Sequence, residues 1–161
     1  MAEAQKYGYN KGDKLLNAGV GVNSYYGAGL PINISFETGI TPEISVGASF
    51  DYLSWNYKPV SMSNYKFNAL YFGARASYHV NELLNIDNEK IDLYGGATIG
   101  YRSFSWKDNY SNNTLSGKYG NGLFFGGYIG GKYYFTSQIG AFTELGAVGS
   151  TNARFGVAFK F

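Results

Sequence analysis

His79 is the only histidine in a 161-residue chain without cysteine, so it alone is of a type that commonly exchanges protons near neutral pH. Its chemistry would be that of a general base, which needs an acid to orient it and a nucleophile or water to act on. Asp92 is the acid it faces if residues 79 and 92 flank a regular hairpin, and a packed His–Asp pair is the simpler expectation. A lone histidine cannot build a His cluster, and the absence of cysteine removes thiolate and disulfide chemistry. No metal site, cofactor or catalytic residue is expected. The remaining charges are sparse: 13 Lys and Arg against 11 Asp and Glu, 15% of the chain, scattered instead of clustered. That distribution does not make a nucleic-acid surface.

The charges acquire meaning from the elements that carry them. Apolar residues recur with period two almost from end to end, and nothing sustains the helical i, i+3, i+4 spacing. Eight runs are legible: Leu16–Val22, Leu30–Phe36, Ile44–Tyr52, Leu70–Tyr78, Ile91–Tyr101, Phe125–Tyr133, Ile139–Ala147 and Ala153–Phe161. The connections after runs two, four and six are short to moderate, whereas runs three and five lead into polar stretches near residues 56–66 and 107–121. In an up-and-down barrel alternate connections share one rim, so the two long loops are expected at the same end. Residues 1–12 are polar and patternless and are expected to form a tail, with the barrel spanning 13–161. The fold class is all-β: an eight-stranded antiparallel barrel.

Alternation alone does not say which face is inside. No residue on the apolar parity of these runs is charged, which both a buried soluble core and a hydrocarbon-facing surface would require. The other parity decides. It carries Glu37, Asp51, Asp92 and Glu144 with Arg75, Arg102, Lys132, Arg154 and Lys160, and His79 beside them, among many glycines, serines and tyrosines. Glycine weakens an exposed strand without compensation, but inside a narrow barrel it leaves volume for a neighbouring arginine. Nearly balanced acids and bases are also what an enclosed polar interior demands. The expectation is therefore a transmembrane barrel with a side-chain-filled polar interior. Arg75 and Glu144 are placed in its middle layer, Asp51, Arg102 and Arg154 toward the loop rim, and Glu37, Asp92, Lys132 and Lys160 toward the other. A soluble, lipocalin-like carrier barrel is the reading that follows if the faces are reversed. Tyr78, Tyr133, Phe135, Phe36 and Phe161 at one end, and Tyr52 and Tyr101 at the other, have the placement of interfacial girdles.

The last run, Ala153-Arg-Phe-Gly-Val-Ala-Phe-Lys-Phe161, ends on an aromatic residue preceded by Phe155, Val157 and Phe159 at every second position. It resembles the C-terminal targeting strand of bacterial outer-membrane barrels, and with eight strands the chain resembles the small OmpX/OmpA-type barrel family over Asp13–Phe161. That resemblance implies a Gram-negative outer membrane, contact with the barrel-assembly machinery during insertion through Phe155, Val157, Phe159 and Phe161, periplasmic termini and extracellular long loops. The chain is expected to be the mature form, its signal peptide already removed. The connections 23–29 and 150–152 are short, which departs from a barrel with four tall hairpins.

The long loops carry Lys58, Lys66, Lys107 and Lys118 against Asp108 as the single acid, a rim suited to lipopolysaccharide phosphates. They are also rich in Tyr, Ser, Asn and Gly, with Tyr57, Tyr65, Tyr110 and Tyr119 as candidate anchors for a protein partner at 56–66 or 107–121. The functional expectation is a non-enzymatic, closed barrel displaying two loops for envelope structure, adhesion or assembly. The alternative is a barrel enzyme that modifies lipid A or phospholipid through His79.

Overall fold

The computed structural model describes residues 7–25, 29–57, 65–107 and 121–161. They form eight antiparallel strands: β1 (Lys14–Ser24), β2 (Ile32–Gly39), β3 (Ile44–Tyr57), β4 (Tyr65–His79), β5 (Ile91–Lys107), β6 (Gly122–Tyr134), β7 (Ile139–Val148) and β8 (Thr151–Lys160). Each pairs with its sequence neighbours, and β1 closes on β8 through Leu15↔Lys160 to Ser24↔Thr151. Closure removes the sheet edges that a bilayer would leave without hydrogen-bond partners. Turns 40–43, 80–90 and 135–138, residues 7–13 and the C-terminal residue Phe161 lie at one end of the barrel, the terminal end. The opposite, loop end receives the connections after β1, β3, β5 and β7.

The faces are those of a transmembrane barrel. Ile32, Ile34, Phe36, Phe50, Phe72, Ile99, Phe125, Ile129, Phe155 and Val157 are exposed on the outside, while Asn33, Ser35, Glu37, Asp51, Arg75, Ser77, Asp92, Lys132, Glu144 and Arg154 are buried within. Water would not tolerate so large a continuous apolar surface, whereas hydrocarbon requires it. Tyr52 and Tyr101 mark one border of this band, and Tyr78, Tyr133, Phe135 and Phe161 mark the other.

The wall is not of uniform height. Ladders β3–β4 and β4–β5 continue to Tyr57↔Tyr65 and Lys66↔Lys107, but β2 reaches β3 only at Ile32↔Tyr52 and β7 reaches β6 only at Tyr128↔Gly146. Strands β3–β5 thus rise as a three-stranded wall above the loop-end girdle, beyond the short β7, β8, β1 and β2, with β6 flanking its base where Gly122 stands opposite Arg102. The segments 53–57, 65–69, 103–107 and 122–124 are strand here, extending the runs read from the sequence. In this wall the apolar side turns inward: Leu53, Phe67, Ala69, Tyr71 and Phe124 form a buried cluster, with Trp55 and Phe104 packed against it. Outside, Tyr52 donates to Asn68 (3.1 Å) and Asn68 donates to Ser105 (3.4 Å).

Candidate functional site

Within the band, inward positions on β2, β4, β5, β7 and β8 meet on the barrel axis. Arg75 is the hub of the middle layer: its Nε lies 3.1 Å from Glu37 Oε2 and its Nη2 2.7 Å from Glu144 Oε1. Glu144 also accepts from Arg154 Nε (2.6 Å) and from the Tyr94 hydroxyl (2.8 Å), and Arg154 reaches on to Asp51 (3.4 Å) toward the loop end. The ring of Tyr128 lies 4.4 Å from the Arg75 guanidinium carbon, and Ser77 donates to Glu37 at 2.7 Å. Glycine makes room for these rings: a Cβ at Gly130 would come within 2.6 Å of the Tyr94 ring. Two guanidiniums are shared among three carboxylates and two tyrosines, the ion pairing that charges removed from water require.

Asp51 also anchors the loop-end closure. The β7–β8 connection is only Gly149–Ser150, with Gly149 at φ +65°, and any side chain there would run into the Asp51 carboxylate. Ser150 and Thr151 are consequently buried, and the Ser150 carbonyl accepts from Tyr25 N at 3.1 Å.

Toward the terminal end a second layer is built around His79. Its Nδ1 lies 2.6 Å from Asp92 Oδ1 and its Nε2 2.9 Å from Ser45 Oγ. Those are the contacts of a Ser–His–Asp triad, but the surroundings differ from a working one. Ser45 has no exposed surface, and its hydroxyl also lies 3.0 Å from Glu37, so one proton is contested by two acceptors. The Tyr9 ring stacks on the imidazole with centroids 3.5 Å apart, which covers the face a substrate would approach. Lys132 stands 3.7 Å from Asp92 and 4.6 Å from the Tyr94 ring, and Lys160 donates to the Gly8 carbonyl at 3.0 Å.

Tyr9 escaped the sequence reading. It lies in the segment read as a tail, yet it is buried and its hydroxyl donates toward the Thr41 and Ile44 carbonyls (2.9 and 2.7 Å). Gly12 N donates to Gly39 O and Gly39 N donates in return to Asp13 O, so residues 8–13 lie across the terminal mouth as a stopper. Burial raises the Tyr9 phenol, with the nearby Asp92 carboxylate as a lesser cause, and burial likewise raises Asp13. No run of alternation marks such a segment; the aromatics at positions 7 and 9 in a polar stretch are the hint.

The other expected residues sort by height. Glu37, Asp51, Arg75, His79, Asp92, Lys132, Glu144, Arg154 and Lys160 are all buried on the inside. Arg102 corrects the expectation. It shares their parity but is exposed, with its guanidinium carbon 5.9 Å from the Phe104 ring. At its level the lining has already become aromatic, and among the described residues no acid pairs it. Phe155, Val157 and Phe161 are exposed on the outside and Phe159 is half-buried. Lys66 is exposed on the outer side of the wall, directly opposite position 107 in the β4–β5 register, and positions 57 and 65 pair at the top of β3–β4. Lys58, Tyr110, Lys118 and Tyr119 lie outside the described residues.

Three solved structures share this architecture. The attachment invasion locus protein Ail of Yersinia pestis superposes with a TM-score of 0.60 at 11% identity, over 94% of this chain and 99% of its own. The outer membrane protein OprG of Pseudomonas aeruginosa gives 0.62 at 14% identity over 99% of both chains. The N-terminal barrel domain of Pseudomonas aeruginosa OprF gives 0.54 at 18% identity, over 95% of this chain and all of that domain. The fold is that of the small outer-membrane barrels. At such identities the likeness is one of fold, and it agrees with the OmpA/OmpX-type architecture read from the final strand. No family model and no curated protein matches the sequence.

Proposed function

We propose that this chain is a closed, non-enzymatic barrel of the Gram-negative outer membrane that holds the β3–β5 wall and its two long loops outside the cell for adhesion or assembly with an envelope partner. The observation that carries this reading is the Glu37–Arg75–Glu144–Arg154–Asp51 chain, which crosses the bore through side chains with no more than 4% of their surface exposed. An eight-stranded bore is just wide enough for side chains to fill, and these fill it with groups that hold each other by ion pairs and charge-assisted hydrogen bonds. The triad-like contacts at His79 belong to the same packing, since Ser45 is committed on both sides and Tyr9 lies over the ring.

The wall supports the display role. Its polar outer face and apolar inner face fit an element standing in water above the membrane border, with Lys66 and Arg102 exposed on it. Together with Lys58, Lys107 and Lys118 of the loops, these cations make a rim suited to lipopolysaccharide phosphates or other polyanions. Ail, which shares this fold, has been crystallised with the heparin analogue sucrose octasulfate. Phe155, Val157, Phe159 and Phe161 then serve as the signal for the barrel-assembly machinery, with the termini in the periplasm.

Planar-bilayer recording tests the closed state, for which no reproducible open channel is expected; a stable conductance would reject it. Cell-surface capture with the intact barrel and with a variant lacking 107–121 tests display. Binding to cells or to immobilised heparin should drop on deletion, and equal binding by both would remove the loops from the proposal.

A further inference from the structure

The three connections at the terminal end are built differently. Residues 40–43 and 135–138 are tight turns in which Thr41 and Thr136 accept from the backbone two and three residues on. The connection 80–90 is longer and more elaborately held. Leu84 N donates to Val80 O (2.9 Å), Asn85 N to Glu82 O (3.1 Å) and Ile86 N to Asn81 O (2.9 Å), and Asn85 ends this turn of helix at φ +52°. The buried Asn81 side chain ties it to the barrel, accepting from Leu93 N at 2.7 Å and donating to Ile91 O. So much fixed backbone serves to present Leu83 and Leu84, adjacent and 68% and 56% exposed, among the most exposed large apolar residues of the molecule.

Single exposed leucines need no explanation, but an adjacent pair on a braced turn does. What covers them follows from where the turn starts. It leaves β4 one residue after Tyr78 and returns at Ile91, whose β6 partner is Tyr133, and Tyr78 and Tyr133 belong to the aromatic border of the apolar band. Phe135 and Ile40, on the neighbouring turns, continue that border.

We propose that Leu83 and Leu84 form a lipid-docking foot: the turn inserts them into the leaflet at the terminal end, between the band and the headgroups, while Glu82, Asp87 and Glu89 stay in the headgroup water. Interfacial apolar side chains on a short helical turn bind membranes in this manner, and here the barrel fixes their depth. The foot would set the height and tilt of the barrel against one leaflet, a constraint that the two tight turns cannot supply.

The chain's lack of cysteine makes the test direct. Leu83→Cys, Leu84→Cys, Glu89→Cys and Phe135→Cys variants of the full chain are each nitroxide-labelled and folded into phosphatidylethanolamine–phosphatidylglycerol vesicles. Collisions with dissolved oxygen and with a water-soluble nickel chelate are then compared. At 83 or 84 the oxygen-to-nickel ratio is expected to be several-fold above that at 89 and close to that at 135. Ratios at both leucines equal to that at 89 overturn the foot, including the case in which they face a periplasmic protein. If position 135 is water-like as well, the membrane reading itself falls, so the two failures are distinguishable.

Discussion

Below the loop-end girdle and above it, the same three strands, β3, β4 and β5, obey opposite rules. On β4, Phe72 and Tyr78 face outward while Arg75 and Ser77 are buried; a few residues earlier Phe67, Ala69 and Tyr71 are buried and Asn68 joins a polar network on the outside. The backbone register runs through without interruption, from Tyr57↔Tyr65 to Ile44↔Tyr78. Only the phase of the hydrophobic pattern flips, at Tyr52 and Tyr101. The cause is the solvent outside: hydrocarbon below the girdle draws apolar side chains outward, and water above it sends them in. The lower interior is thus held by ion pairs and the upper one by aromatic packing, and each region should fail by its own mechanism.

The largest effect is expected at Glu144, which accepts from two guanidiniums and a phenol with no exposed surface. Glu144→Ala removes the acceptor that Arg75 and Arg154 share and leaves each with one longer contact, to Glu37 and to Asp51; losing one partner of a buried pair costs about 3–5 kcal/mol. Urea unfolding of the barrel in detergent micelles reads this as a lowered midpoint. A further Arg154→Met substitution should not recover the loss, because it leaves the buried Asp51 carboxylate without its guanidinium. A midpoint unchanged by Glu144→Ala would mean that the lower interior is held by something other than its charges.

The girdle itself can be tested by placing the same charge on either side of it. Ala97 is exposed on the outer face between Ile91 and Tyr101, opposite Gly127 and Ala76, and Ser105 is exposed on the same face of β5 above the girdle. Ala97→Arg should cost about 2–4 kcal/mol of folding into vesicles if it lies near the midplane. Ser105→Arg should change stability by no more than about 0.5 kcal/mol, as an ordinary solvent-facing site. Equal penalties would place the membrane border above Ser105 and erase the distinction between the two regions.

The lower region was the legible one. Eight strands, the inward parity of Glu37, Arg75, Asp92 and Glu144, and the His79–Asp92 facing follow from a strict period of two and from the need to neutralise enclosed charge. The wall was not legible, because a phase inversion at Leu53 and Tyr71 breaks any single alternating template, and its top, residues 56–57, 65–66 and 107, read as polar loop. Arg102 was misplaced for the same reason: parity gives the side a residue faces, not the height at which the interior changes character. Tyr9 carries no periodic signal at all, since its burial depends on a stopper formed by non-strand backbone.

That stopper gives the smallest expected effect, and its sign is opposite to the usual one for a carboxylate. Asp13 accepts from Asn10 N at 2.9 Å, which favours its charged form, but burial outweighs this and raises its pKa above 3.8. A group bound more tightly to its proton in the docked state adds stability below its free pKa and loses that contribution as pH rises through the docked value. Residues 8–13 should therefore dock more firmly as the pH is lowered from neutrality toward the ordinary carboxylate range. Hydrogen exchange of the Gly12 amide, which donates to Gly39 O, reports on docking directly once corrected for the intrinsic pH dependence of exchange. Because Tyr9 also rests on His79, the informative quantity is the difference between the wild-type protein and Asp13→Asn. Protection in the wild type should rise on acidification relative to the variant; a fall would mean that the charged carboxylate holds the stopper, and that its bond to Asn10 outweighs its burial.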